Sequence, residues 1–547
     1  MNIKEQTYQL IDDLKAVCHN YGMGNDGNEY KVITQIFLYK FLNDKFGYEI
    51  KKKNAAIRAA EKWETAYAAM SEDDRLDLLD SLSPDVLRLN PEHTISFLWK
   101  QQAKGDFDVI FDATMTDIAD KNIDIFSTVT FNNTRIPLFE KLTNFVTDDA
   151  QRAPFARALV DKLVKFSFED AFGQSYDFFA GIFEYLIKDY NTNGGGVYAE
   201  YYTPHAIAVI MARLLVGEGQ DLHTIECYDP AAGTGTLLMA LGHQVGEDRC
   251  TIFAQDRSQK SNKMLKLNLI LNGLVSSLDH AVQGDTLTDP YHKSDDGQSL
   301  RQFDYVVCNP PFKLDFEETR ETIAAMKARF WAGVPKVPAK DKKSMAIYTC
   351  FIQHVLNSLK EHGKGAIVLP TGFLTAKTGV EGTVLKHIIE QRIVYGAISM
   401  PKDVFANTGT NVSVVFFDNS KSADKVILID ASNLGEEYQE GKNKKVRLTA
   451  EEIDLIVDTF ANKKTVDDFS VAVQYRKQDN GKYALDGNRY SLSAGQYFEV
   501  KIEHIDITAE EFATKIIDYK ASLTQKFEKG HELEKQLIEQ LGGIRFE

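Results

Sequence analysis

Between residues 224 and 418, short apolar runs rich in β-branched and aromatic residues alternate with segments of helical spacing. The runs are TIECYD (224–229), TIFAQD (251–256), FDYVVCN (303–309), GAIVLP (365–370), IVYGAIS (393–399) and NVSVVFFD (411–418). This rhythm constrains the chain more than any other feature. Strands separated by helices are joined by crossovers, and crossovers build a mostly parallel sheet with helices on both faces. The expected fold class is α/β, doubly wound. Such a sheet offers chemistry one place, the carboxyl ends of its strands near the switch in strand order.

The first run leads into DPAAGTGTLLMALG, residues 229–242. Gly233 and Gly235 allow a tight turn, and a helix starts near Thr236, so backbone N–H groups face a ligand there. The loop is neither GxGxxG nor a Walker sequence; no GK[ST] follows, which disfavours ATP. The second run ends at Asp256, where an acid suits two ribose hydroxyls or, alternatively, caps the helix of SQKSNKMLKLNLILNGL. A third strand leads into GDTL, where Asp285 suits an adenine amino group. The fourth runs off its tip as Asn309, Pro310, Pro311 and Phe312. Two prolines end ladder pairing and hold the chain extended, so NPPF is either a stiff turn or a shelf offering an amide, a carbonyl and a ring. With Asp229, Asp256 and Asp285 at three tips and the shelf at a fourth, the set describes an S-adenosylmethionine site beside an acceptor nitrogen.

Residues 1–170 are helical in pattern. In YKVITQIFLYKFLNDKF, Ile33, Ile36, Phe37 and Phe41 fall at helical spacing and read as packed core. After 420 the pattern weakens, and from Thr508 the chain is strongly helical. There Ile516, Tyr519, Leu523, Phe527, Gly530, Leu533 and Leu537 step by three or four, as a seam for a partner helix or a face docked on its own domain. A length of 547 residues suits about three domains. We expect a helical domain at 1–170, a catalytic domain at 171–420, and a C-terminal region at 421–547 whose helix (508–541) binds a partner.

The start, MNIKEQTYQLIDDLK, reads as a charged amphipathic helix, and no run of 18 apolar residues occurs. Five scattered cysteines (Cys18, Cys227, Cys250, Cys308, Cys350) form no CxxC or Cys/His cluster, so reduced thiols, no metal and a cytoplasmic location are expected. The formal net charge of −16 disfavours a protein that grips nucleic acid alone. Against it stands MKARFWAGVPKVPAKDKKS (326–344), with Lys327, Arg329, Lys336, Lys340, Lys342 and Lys343 opposed only by Asp341. Phe330 and Trp331 interleave with these charges. This segment is either a solvated insertion or a loop that meets DNA phosphates around a target base.

These motifs resemble the amino-group DNA methyltransferases, and most closely the modification (HsdM-type) subunit of type I restriction–modification systems. GGGVYAEYYTPHAIA (194–208) is similar to the family's segment that closes over the methionine end of the cofactor. The order of upstream segment, glycine loop and NPPF resembles the adenine-modifying subgroup. GKGAIVLPTGFL and MPKDVFANTGTNVSVVFF are similar to its closing strands. One departure is Asp256, where Glu is usual.

The resemblance implies a class I, Rossmann-like methyltransferase that acts on the N6 amine of a flipped adenine. It implies a cofactor site of Glu200, Tyr201, Tyr202, Thr203, Pro204, Asp229, Ala231, Gly233, Thr234, Gly235, Thr236, Asp256, Asp285 and Asn309. Asn309 and Pro310 would accept the two amine N–H groups, and Phe312 would stack on the base. Implied partners are double-stranded DNA, a specificity subunit shared by two modification subunits, and a restriction/translocase subunit, with no membrane. The short stretch after the last catalytic strand leaves little room for a DNA-reading domain, which agrees with a separate specificity subunit. Two alternatives share the shelf. N4-cytosine methyltransferases tend to carry Ser or Asp before PPY, and protein glutamine methyltransferases usually have Tyr at the Phe312 position on a shorter chain.

Overall fold

A computed structural model describes residues 2–24, 27–129, 134–173, 176–193, 203–217, 219, 222–405, 411–440, 443–475, 484–485, 490–498 and 508–542. The first helix, Ile3–Asn20, opens with a capping box: Asn2 Oδ1 accepts from Glu5 N–H at 2.8 Å and Glu5 returns the bond to Asn2 N–H at 3.1 Å. The next, Gly27–Lys53, buries Ile33, Ile36, Phe37 and Phe41 as their spacing requires. Phe107–Lys121 and Asp149–Val164 pack around them. A short antiparallel hairpin, Ser127–Val129 with Arg135–Pro137, interrupts this otherwise helical region.

Among the described residues one sheet has nine strands, six of them the apolar runs: β1 Ile225–Asp229, β2 Cys250–Asp256, β3 Ala281–Gln283, β4 Phe303–Cys308, β5 Leu359–Pro370, β6 Val394–Ser399, β7 Val412–Asp418, β8 Lys425–Asp430 and β9 Ser470–Gln474. Their order is β9-β8-β6-β7-β5-β4-β1-β2-β3. β1 to β5 are mutually parallel, whereas β7 inserts antiparallel between β5 and β6. Val414, Val415, Phe416 and Phe417 on β7 are fully buried, the near-continuous apolar run of a strand covered on both faces. The fold is thus the doubly wound class expected. It also continues past residue 420, because β8 pairs with β6 and β9 with β8, so the expected boundary there falls within one sheet.

The chain runs outward from β1 through β2 to β3, then returns to lay β4 on the other side of β1. That is the switch point, and it sets the glycine loop after β1 next to the NPPF shelf after β4. The contacts divide the chain into two compact units, 1–497 and 498–547. In the second, the helix Ala509–Gly542 has Ile516, Tyr519, Leu523, Phe527, Leu533 and Leu537 all exposed. Among the described residues no helix is long and apolar enough to cross a membrane.

Candidate active site

Each site residue stands where a strand stops. β1 ends at Asp229, whose Oδ1 accepts from the Ala231 N–H at 2.9 Å and starts the loop as an Asx turn. Asp229 is buried, and that burial pushes its carboxyl well above the usual range. The loop then turns through Gly233 (φ 52°) and Gly235 (φ 85°), both left-handed. A Cβ on Gly235 would stand 2.3 Å from Leu265 Cδ1 on the helix Gln259–Leu271, and the left-handed φ strains any L side chain there, so glycine is favoured on both counts. Asp256, at the end of β2, holds the same loop. Its Oδ2 accepts from Gly233 N–H at 2.8 Å and its Oδ1 from Ser258 N–H at 2.7 Å. Burial raises the Asp256 carboxyl, opposed by those two N–H groups. The helix cap is Ser258, which accepts from Ser261 N–H at 3.1 Å, so Asp256 is left to the loop. Just past β3, Asp285 Oδ1 accepts from Leu287 N–H at 3.0 Å, and the Thr286 hydroxyl donates to the Pro230 carbonyl at 2.7 Å. The last bond stitches the β3 turn to the glycine loop.

Two hydroxyls of that loop are left over. Thr234 Oγ1 and Thr236 Oγ1 are buried without a hydrogen-bond partner. Buried hydroxyls are normally paired, so these two call for polar atoms of a ligand. They flank the start of the helix Thr236–Val245, whose first N–H groups are also open to a ligand. Glycine turn, unpaired hydroxyls and acidic tips fit S-adenosylmethionine.

β4 stops at Cys308, and the next side chain is anchored at once. Asn309 Nδ2 donates to Thr203 Oγ1 at 3.0 Å, and Thr203 is buried at 4% exposure. This bond fixes the amide and leaves Oδ1 facing away from Thr203. Among the described residues nothing donates to Asn309 Oδ1 or to the Pro310 carbonyl. Phe312 is half-buried and stands perpendicular to Tyr348, with ring centroids 6.5 Å apart. Tyr348 in turn packs against Phe373 and donates its hydroxyl to Glu381. Sequence reasoning named Thr203 but missed its bond to Asn309, and it missed Thr286, Tyr348 and Glu381.

Of the upstream segment, Thr203 and Pro204 begin the helix His205–Val216; Glu200, Tyr201 and Tyr202 lie outside the described residues. In the basic segment Lys327, Lys336, Lys340, Lys342 and Lys343 are exposed, Lys342 being paired with Glu317. Arg329 departs from the expectation of a phosphate contact. It is 8% exposed and donates to the Thr286 carbonyl at 3.3 Å and to the Leu287 carbonyl. Burial lowers its pKa to about 10. A guanidinium committed to two internal carbonyls cannot also reach DNA. Trp331 packs against His387 with ring centroids 4.0 Å apart and planes tilted by 40°.

A family model for N-6 DNA methylases matches residues 174–497, which holds every strand of the sheet and the whole shelf. The chain belongs to that family. Within it, the type I restriction enzyme MpnII methylase subunit of Mycoplasma pneumoniae is 27% identical over 360 residues, 65% of this chain and 63% of the relative. The MjaIX methylase subunit of Methanocaldococcus jannaschii is 29% identical over 398 residues, 70% and 66% of the two chains. The match therefore spans just under two thirds of either relative's length. In fold, the chain is similar to a type I restriction–modification methyltransferase subunit from Streptococcus thermophilus, with a TM-score of 0.72 and 22% identity. That similarity covers 91% of this chain and all of the other.

Proposed function

We propose that this methylase family member is the modification subunit of a type I restriction–modification complex, a site-specific DNA N6-adenine methyltransferase using S-adenosylmethionine. The observation that carries the reading is the Asn309 amide, held on its donor side by Thr203 and left open on its acceptor side beside the Pro310 carbonyl. An exocyclic amine on a purine is a poor nucleophile because its lone pair is delocalised into the ring. Asn309 Oδ1 and the Pro310 carbonyl accept its two N–H groups and favour the pyramidal nitrogen, whose lone pair is free to attack. Neither is a strong base, and the proton leaves only after the nitrogen has become cationic. Catalysis is then mainly positioning and electrostatics. Phe312 stacks on the flipped base, a contact worth about 1–3 kcal/mol, comparable to the cost of unstacking. S-adenosylmethionine, when bound, supplies the electrophilic methyl group.

The exposed lysines of 326–344 meet phosphates around the flipped base, and the helix Ala509–Gly542 binds the subunit that reads the sequence. Two modification subunits share one specificity subunit, and a restriction/translocase subunit completes the complex. The test is to incubate the chain and its specificity subunit with duplex DNA and tritiated S-adenosylmethionine, then digest to nucleosides. Label in N6-methyladenine is expected. Label in N4-methylcytosine, or on protein, would replace this reading.

A further inference from the structure

The buried seat of the basic segment has no part in the chemistry described so far. Arg329 lies in it, with its guanidinium on the Thr286 and Leu287 carbonyls and its own carbonyl accepting from Asn357 Nδ2 at 3.1 Å. Three residues on, Ala332 N–H donates to Gln353 Oε1 at 2.8 Å, and Gln353 Nε2 donates to the Gly333 carbonyl at 3.0 Å. Gln353 is fully buried. Residues 329–333 are therefore gripped from one side by the helix Tyr348–Asn357. On the other side, the two carbonyls that Arg329 holds directly follow Asp285, and the Thr286 hydroxyl continues the chain of bonds to Pro230 in the glycine loop. A buried cation is costly unless its N–H groups are used; here Nη1 and Nη2 are used while Nε has no partner among the described residues, and Arg offers a rigid fork where Lys offers a single point. Two successive carbonyls are a target that suits the fork.

We propose that Arg329 is a positioning residue for the nucleoside end of the cofactor pocket. By fixing the Thr286 and Leu287 carbonyls against the helix Tyr348–Asn357, it sets where Asp285 stands. The proposal rests on the reading of Asp285 as acceptor for the adenine amino group. It also ties the seat of the basic segment to the cofactor, so that disturbing Arg329 changes ligand affinity rather than DNA electrostatics.

Calorimetry on the full chain tests this with two ligands, S-adenosylmethionine and its 6-deamino purine analogue, in which hydrogen replaces the amino group. Arg329→Lys is expected to weaken S-adenosylmethionine about tenfold, the loss of roughly one well-made hydrogen bond, and to leave the 6-deamino analogue unchanged. Asp285→Ala should show the same selectivity. In the assembled complex, the salt dependence of DNA binding should be unaltered by Arg329→Lys, whereas Lys343→Ala should lower its slope by about one. Should Arg329→Lys not fold, Asn357→Ala loosens the same seat and is expected to give a smaller loss of the same selectivity. Normal affinity in Arg329→Lys beside weakened binding in Asp285→Ala overturns the proposal, as does an equal loss for both ligands. If Asp285→Ala binds normally, the reading of Asp285 fails and the proposal falls with it.

Discussion

At the scale of the residue, the proposed mechanism works through one amide with two sides. Thr203 takes the donor side of Asn309, and in the proposed mechanism the acceptor side receives the substrate amine. Thr203→Val keeps the shape but strands an N–H of the half-buried Asn309 amide, a penalty of about 1 kcal/mol or somewhat more. We expect single-turnover methylation to slow by about tenfold, with cofactor affinity changed little and Thr203→Ser close to wild type. At Phe312, stacking requires a π-face rather than one ring, so Phe312→Ala should weaken base capture while Phe312→Trp retains it. Fluorescence of 2-aminopurine placed at the target base reads this directly, and equal signals from the Ala and Trp variants would end the stacking role. NPPF was legible because two prolines and an amide leave few conformations for the strand tip. The Thr203 bond was not, since 106 residues separate its partners and no local pattern links them. Arg329 was misplaced for a related reason: a run of basic residues shows charge, but only packing shows that one of them turns inward.

At the scale of the element, the glycine loop is shaped from behind. Gly235 is left-handed, and its missing Cβ leaves room for Leu265 on the helix Gln259–Leu271. Gly235→Asp is therefore expected to displace the loop and abolish S-adenosylmethionine binding by calorimetry; an unchanged affinity would remove the loop from the site. The strands β1, β2 and β4 to β7 were legible because apolar runs of sheet strands buried on both faces stand out between amphipathic helices. β8 and β9 were harder, since they extend the sheet through a region where strand signals are short and widely spaced. The hairpin Ser127–Val129 with Arg135–Pro137 has three residues a side, too few for alternation to show. Acidic strand tips were legible as a set, yet Asp229 and Asp256 each spend an oxygen on holding the loop itself.

At the scale of the whole molecule, the proposed function asks an acidic chain of net charge −16 to act on a polyanion. In that reading the exposed lysines of 326–344 supply the local attraction, and the exposed apolar stripe of the helix Ala509–Gly542 is the proposed handle for the subunit that reads DNA. Deleting residues 508–547 should spare folding and cofactor binding but leave a chain that elutes alone and no longer methylates specific sites. Continued co-elution with methylation of the same sites would show that the stripe is not the handle. The proposed mechanism turns on one amide at the tip of β4, so the most direct measurement is made there. Asn309→Ala, assembled with its specificity subunit on duplex DNA, should bind S-adenosylmethionine with near-normal affinity by calorimetry and transfer no detectable methyl to adenine. Near wild-type formation of N6-methyladenine by that variant would contradict the mechanism.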